Sequence, residues 1–161
     1  MSSNYNSFHT NSINKLIHTF CIPLIIISVL NFTSSFKINT DKQNKYTYKL
    51  GTKQLLNFTT YHCDSILLIF FSCYYFLYSV KTGTIMSVFL TFMYKLGQIW
   101  RSYDVHWKKN TIIVFIFAWV FQFIGHYIEG NKPALFTGLK MSVFQAPLYT
   151  AQSLLGFSIN E

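Results

Sequence analysis

His126 and Glu129 are the residues from which the chemistry of this chain is read. Three apart on a helix, they share one face about one turn apart, so imidazole and carboxylate can aim at a single centre. Glu129 is the only glutamate before the C-terminal residue, and the run leading into the pair, 112–124, is almost wholly apolar. A carboxylate beside a histidine at the end of such a helix is costly, so its presence is informative. His9 and His18 lie in the polar N-terminal stretch. If the two ends of the chain meet, three imidazoles and one carboxylate surround one point. Imidazole suits iron, zinc and copper, and histidine plus carboxylate with open positions suits non-haem Fe(II) that activates dioxygen. Cys21, Cys63 and Cys73 fall in or beside apolar runs in no paired spacing, so a structural zinc site is disfavoured.

Spacing constrains this proposal. His9 and His18 are nine residues apart, about two and a half turns, so one unbroken helix would aim them at opposite faces. Both reach one ion only if the chain breaks between them. Asn11-Ser12 offers the break, because either residue can cap a helix starting there. Asn14 then lies one turn before His18 and can fix its tautomer. Each group also has an ordinary reading. For His126 and Glu129 it is an intrahelical or loop-stabilising hydrogen bond, and for a lone histidine at a bilayer surface it is an amphipathic anchor. His62 and His106 take that ordinary reading, the latter because Asp104 and two lysines beside it describe a solvated loop. Gln122, one turn before His126, reads as a polar bridge between helices rather than a reactant.

The elements that must position these groups are membrane helices. The 161 residues suffice for one domain, 51% of them hydrophobic and only 11% charged, against about 25% in soluble domains. Mean hydropathy is +0.29. The net charge of +8 comes from bases that cluster between apolar runs and in short flanks. Lipid headgroups explain them better than nucleic acid does. No cleavable signal peptide is evident, because the first twelve residues are polar.

The pattern predicts an all-α integral membrane bundle of about four spans in a single domain, with an N-terminal histidine motif helix at 1–17. Span 1 is expected at 18–36, with Pro23 near its start, where a helix tolerates it best. A basic, solvated linker occupies 37–63. Spans 2 and 3 follow at 64–80 and 84–100, joined by a turn at Lys81-Thr82-Gly83. Span 4 is 111–128. The breaker Gly130-Asn131-Lys132-Pro133 comes next, then a C-terminal re-entrant or interfacial helix at 134–157, which Pro147 should kink or end. Four crossings bring the N-terminal histidines to the face where His126 and Glu129 emerge. By the positive-inside rule that face looks away from the cytosol.

Two separated motifs carry a resemblance. Tyr5, His9, Asn14, Lys15-Leu16-Ile17-His18 and Ile22-Pro23 open the chain, and Trp119, Gln122, Gly125-His126, Glu129 and Pro133-Ala134-Leu135 recur near its end. With Ala146-Pro147-Leu148-Tyr149, they resemble the signature of the fungal 2-hydroxy fatty acid dioxygenases, small endoplasmic reticulum membrane proteins. The resemblance implies Fe(II)-dependent α-oxidation, in which a long-chain 2-hydroxy fatty acid and O2 give an acid one carbon shorter, in phytosphingosine breakdown. It implies iron held by His9, His18 and His126, with Glu129 as a fourth ligand or orienting partner. Lys132 would meet the substrate carboxylate, and Asn14, Gln122 and Tyr5 would support the ligands. The mitochondrial inner membrane is the alternative compartment. One departure stands out. Where relatives commonly carry a Glu after the Pro-Leu-aromatic motif, this chain has Gln152-Ser153. The alternative is therefore an inactive relative serving as a structural membrane protein or as a subunit of a larger membrane complex. A lipid or ion transporter ranks lower, because apart from Lys95 the spans before the fourth lack the ionisable residues that usually mark an ion pathway.

Overall fold

The computed structural model describes residues 11–39, 60–130 and 141–157. Helix α1 is Ser12–Thr33, α2 Cys63–Phe76, α3 Val80–Tyr103, α4 Trp107–Glu129 and α5 Ala146–Leu155. A single π-helical turn, Met141–Gln145, leads into α5. Strands β1 (Lys37–Asn39) and β2 (Thr60–His62) pair antiparallel, with Lys37 opposite His62. The expected basic linker is thus closed at its two ends by a short ribbon, while 40–59 lie outside the described residues. His62 belongs to this closure, its Nδ1–H donating to the Ser34 carbonyl at 3.1 Å.

Several element boundaries differ from the sequence pattern, each for a local reason. Asn11 caps α1, its side-chain oxygen accepting from the Ile13 amide at 2.8 Å, so the helix starts six residues before the expected span. Pro23 consequently sits in mid-helix rather than in the first turn. The carbonyl four residues earlier, at Thr19, loses its usual donor, a loss that membrane helices tolerate better than soluble ones. The α2–α3 turn falls at 77–79, not at Lys81-Thr82-Gly83. Ser79 caps α3 by accepting from the Thr82 amide at 3.0 Å, which draws those three residues into the first turn. Helix α4 begins one turn early, at Trp107, and ends at Gly130, whose φ of 75° suits glycine. Pro147 comes just after the π-helical turn. It lies in the first turn of α5, where its missing N–H costs least.

Arg101–Asn110 is not a loose solvated loop either. Asp104 ties the α3–α4 corner by accepting from the Trp100 indole at 2.9 Å, the Asn110 amide at 2.8 Å and the His106 backbone at 2.8 Å. Those bonds, the Asn110 one foremost, hold its carboxyl below the usual carboxylate range.

Two helices, α1 and α4, are long and apolar enough to cross a membrane. Both turn large apolar side chains outward, among them Leu16, Phe20 and Leu24 on α1 and Ile116, Phe117 and Val120 on α4. Helix α2 is apolar but shorter, with 14 residues. Helix α3 matches the other two in length but carries Lys81, Lys95 and Arg101. The core lies between the helices, built from Ile27, Leu30, Tyr75, Met86, Phe89, Leu90, Met93, Leu148 and Ala151.

Near the α1 C-terminus, a buried polar cluster joins three helices. Arg101 donates to Asn31 Oδ1 at 2.7 Å and pairs with Asp64 Oδ2 at 3.2 Å, and Asp64 and Asn31 are fully buried. Removing the cation leaves a buried carboxylate uncompensated, a change that costs about 3 kcal/mol or more. Arg101→Leu is therefore expected to lower unfolding stability by about 3 kcal/mol in detergent micelles, and Arg101→Leu with Asp64→Leu to recover much of the loss. Equal stability of Arg101→Leu and the parent would show that the cluster does not hold the bundle.

Candidate active site

Helices α1 and α4 pack antiparallel, which sets the N-terminal turns of α1 against the C-terminal turns of α4. Asn14 is the first point of contact. Its side-chain amide donates to Glu129 Oε2, and the Asn11 backbone N–H donates to Glu129 Oε1 at 2.9 Å. Both carboxylate oxygens are therefore engaged by the start of α1. This is where α1 exposes amide groups that lack intrahelical acceptors and where its dipole favours an anion. Asn14 reaches Glu129 because position 125 is glycine. A Cβ there would overlap Asn14 Oδ1 and lie 3.3 Å from Asn14 Cγ.

One turn further into the bundle, His18 and His126 meet. Both are buried, with ring centroids 4.8 Å apart and planes at 64°. Gln122 follows on α4, also buried at 8% exposure, and its Nε2 has no hydrogen-bond partner among the described residues. These three form the polar end of a cavity of about 270 Å³. The remaining wall is apolar apart from Tyr75, and includes Ile22, Ile26 and Leu30 of α1 and Phe115, Trp119 and Phe123 of α4. Tyr75 directs its hydroxyl away from ligand chemistry, donating to the Phe144 carbonyl at 2.7 Å.

The two imidazoles have the separation that a shared iron ion would require. With metal–nitrogen bonds of about 2.1 Å and about 100° between them, two imidazoles on one ion hold their centroids about 4.9 Å apart. The observed 4.8 Å agrees with that separation, and an ordinary edge contact between rings gives it too. The ligand count therefore matters more than the distance. Among the described residues no three His, Cys, Asp or Glu side chains are grouped to hold a metal. His9, the third ligand implied by the resemblance, lies outside the described residues, as do Tyr5, Lys132 and the Pro133-Ala134-Leu135 motif. The two imidazoles fit as one side of such a site.

The motifs at the two ends thus come together through Asn14, His18, Gln122, His126 and Glu129. The family model described as 2-hydroxy-palmitic acid dioxygenase Mpo1-like matches residues 1–158. The chain belongs to the Mpo1-like family. It is similar to the 2-hydroxy-palmitic acid dioxygenase MPO1 of Saccharomyces cerevisiae. The two are 28% identical over 146 residues, which cover 90% of this chain and 72% of the yeast protein. No solved structure matches. The resemblance read from the motifs is borne out at the level of the family.

Placed on this geometry, the histidines of ordinary reading stay away from the Mpo1-like signature. His106 is exposed before α4 and His62 sits in the ribbon; neither lines the cavity. Gln152 and Ser153 do not line it either. The Asn11 amide was missed by sequence reasoning, since a backbone donor leaves no residue-type signal. The role of Gly125 as the gap for Asn14 has no local sequence signal, because it depends on a residue of the other helix.

If Glu129 anchors the start of α1, Glu129→Ala frees the Asn11 and Asn14 donors at a cost of about 2 kcal/mol. Amide exchange in the first turn of α1 is expected to accelerate, with α2 and α3 unchanged. Unaltered protection at 11–14 would mean that the carboxylate does not hold that turn.

Proposed function

We propose that this chain is an Fe(II)-dependent membrane dioxygenase that shortens long-chain 2-hydroxy fatty acids by one carbon. The observation that carries the reading is the make-up of the cavity, with two buried imidazoles and a free amide donor at one end and an apolar wall beyond them. Such a pocket suits an amphiphile with one polar head. The family match and the yeast relative's name support the reaction class, a dioxygenase acting on a 2-hydroxy acid, and the motif resemblance implies that the acid's carboxyl carbon is lost. With O2 as sole oxidant the atoms balance as the shortened acid, one carbon dioxide and one water.

His18 and His126, with His9, would hold the iron. Bound there, iron would supply dioxygen activation and a Lewis-acid contact for the 2-hydroxy acid. The chain's own residues do the rest. Glu129 and Asn14 fix α1 against α4 and so set the spacing of the two imidazoles. The apolar wall excludes water from the acyl chain, and Lys132 would meet the carboxylate.

The wall also suggests a length. From His18 to Leu30 on α1, twelve residues, it runs about 18 Å, and a saturated chain advancing about 1.3 Å per carbon places about fourteen carbons there. A volume just under the usual range of ligand pockets, about 300–1,000 Å³, suits one unbranched chain. In the bilayer, α1 and α4 would cross, α2 and α3 would complete a four-span bundle, and α5 would lie toward the interface. The endoplasmic reticulum is the proposed compartment.

His126→Ala protein is expected to lose its bound iron, measured by metal analysis after purification, and its consumption of 2-hydroxypalmitate. Iron retained at the parent stoichiometry would remove the metal assignment. Because position 153 is away from the cavity, Ser153→Glu should leave turnover within about twofold of the parent, a change of about 0.4 kcal/mol in barrier. A rise of ten-fold or more would instead show that the missing acid limits this chain.

A further inference from the structure

Gln122 is the polar group in the cavity that the fold leaves unexplained. It is buried at 8% exposure on α4, one turn from His126, and its amide nitrogen holds no hydrogen bond among the described residues. An amide donor stripped of water without a replacement acceptor is unfavourable, and nearly all such groups in folded proteins have partners. Asn14, by contrast, is engaged by Glu129, and Tyr75 by the Phe144 carbonyl. The sequence reading of Gln122 as a bridge between helices therefore lacks a second pillar: no described side chain or carbonyl receives its Nε2. Its position does have a consequence. It lines the same cavity end as His18 and His126, where the head of an acid would lie.

We propose that Gln122 is a substrate-binding residue whose amide N–H donates to a carboxylate oxygen of the bound 2-hydroxy acid. This rests on the function proposed above for its choice of ligand class. The chemistry favours a carboxylate over a neutral head, because an ionised acceptor makes shorter and stronger bonds to N–H donors and carries enough lone pairs for several at once. It also explains why an unpaired donor persists in an apolar site. The donor is unsatisfied in the free protein and satisfied in the complex, so stability is given up where binding is gained. A site built around a buried donor also discriminates strongly against heads that cannot accept from it.

The test uses the full chain in nanodiscs and measures displacement of a fluorescent fatty acid by 2-hydroxypalmitate and by hexadecane-1,2-diol, which keeps the hydroxyl and lacks the carboxylate. Gln122→Met keeps length and volume and removes the donor. The expected result is a melting temperature equal to or above the parent's, with affinity for the acid reduced about tenfold or more and affinity for the diol unchanged. Gln122→Glu, which sets an acceptor against the carboxylate, is expected to weaken the acid further at neutral pH and serves where the methionine variant fails to fold. Unchanged affinity for the acid, or equal losses for acid and diol, overturns the proposal. Because the readout is binding, it separates from the reading of turnover. A parent protein that binds the acid through Gln122 and never consumes it would sink the dioxygenase assignment and leave this inference standing.

Discussion

The fold turns on how a single carboxylate is accommodated at the end of an apolar helix. Glu129 sits at the C-terminus of α4, the negative end of that helix's own dipole, where an anion is disfavoured. The start of α1 offers the opposite condition, with amide groups lacking acceptors and a favourable field. Placing one against the other satisfies both, through the Asn11 N–H and the Asn14 amide. Neither helix end is comfortable in an apolar setting without the other. The antiparallel contact of α1 and α4 is therefore specified by polar chemistry, not only by apolar burial.

Once that contact is made, helical periodicity does the rest. Moving four residues along α1 from Asn14 reaches His18, and moving three back along α4 from Glu129 reaches His126. The two imidazoles then lie with centroids 4.8 Å apart. A further step on each helix reaches Ile22 and Gln122, both on the cavity wall. The site is thus a ladder read down two facing helices. At the far end of α1, Arg101, Asp64 and Asn31 form a second polar fixture that joins α1, α2 and α3. The apolar middle between these fixtures packs well in many registers, and polar contacts at each end select one.

This ladder explains which parts of the architecture were legible. The one-turn spacing of His126 and Glu129 and the helix start at Asn11-Ser12 were readable because helix geometry links spacing to direction. The exact starts of the spans were not. Apolar runs report where lipid or core lies, whereas α1 begins at its cap, inside polar sequence, and α3 begins at Ser79 for the same reason. Pro23 misled because its position was judged from the apolar run and not from the cap. The Arg101–Asp64–Asn31 cluster was invisible in principle, since its members come from three segments and no local pattern marks them. His9, Tyr5 and Lys132 remain sequence-level expectations.

The same geometry bears on what Glu129 is for. Each Glu129 oxygen accepts one bond from α1, so the carboxylate is held at the start of that helix. Moving the carboxylate out of these bonds would strip the first turn of α1 of its partner and loosen the helix that carries His18. The arrangement gives Glu129 a positioning role between α1 and α4, and under the proposed function the histidines would supply the coordination. That division keeps the number of protein ligands low. Three imidazoles on an octahedral ion leave three positions, the number that a chelating 2-hydroxy acid and dioxygen together require. An acidic fourth ligand would take one of them, so the proposed chemistry would fit best with Glu129 kept outside the coordination sphere.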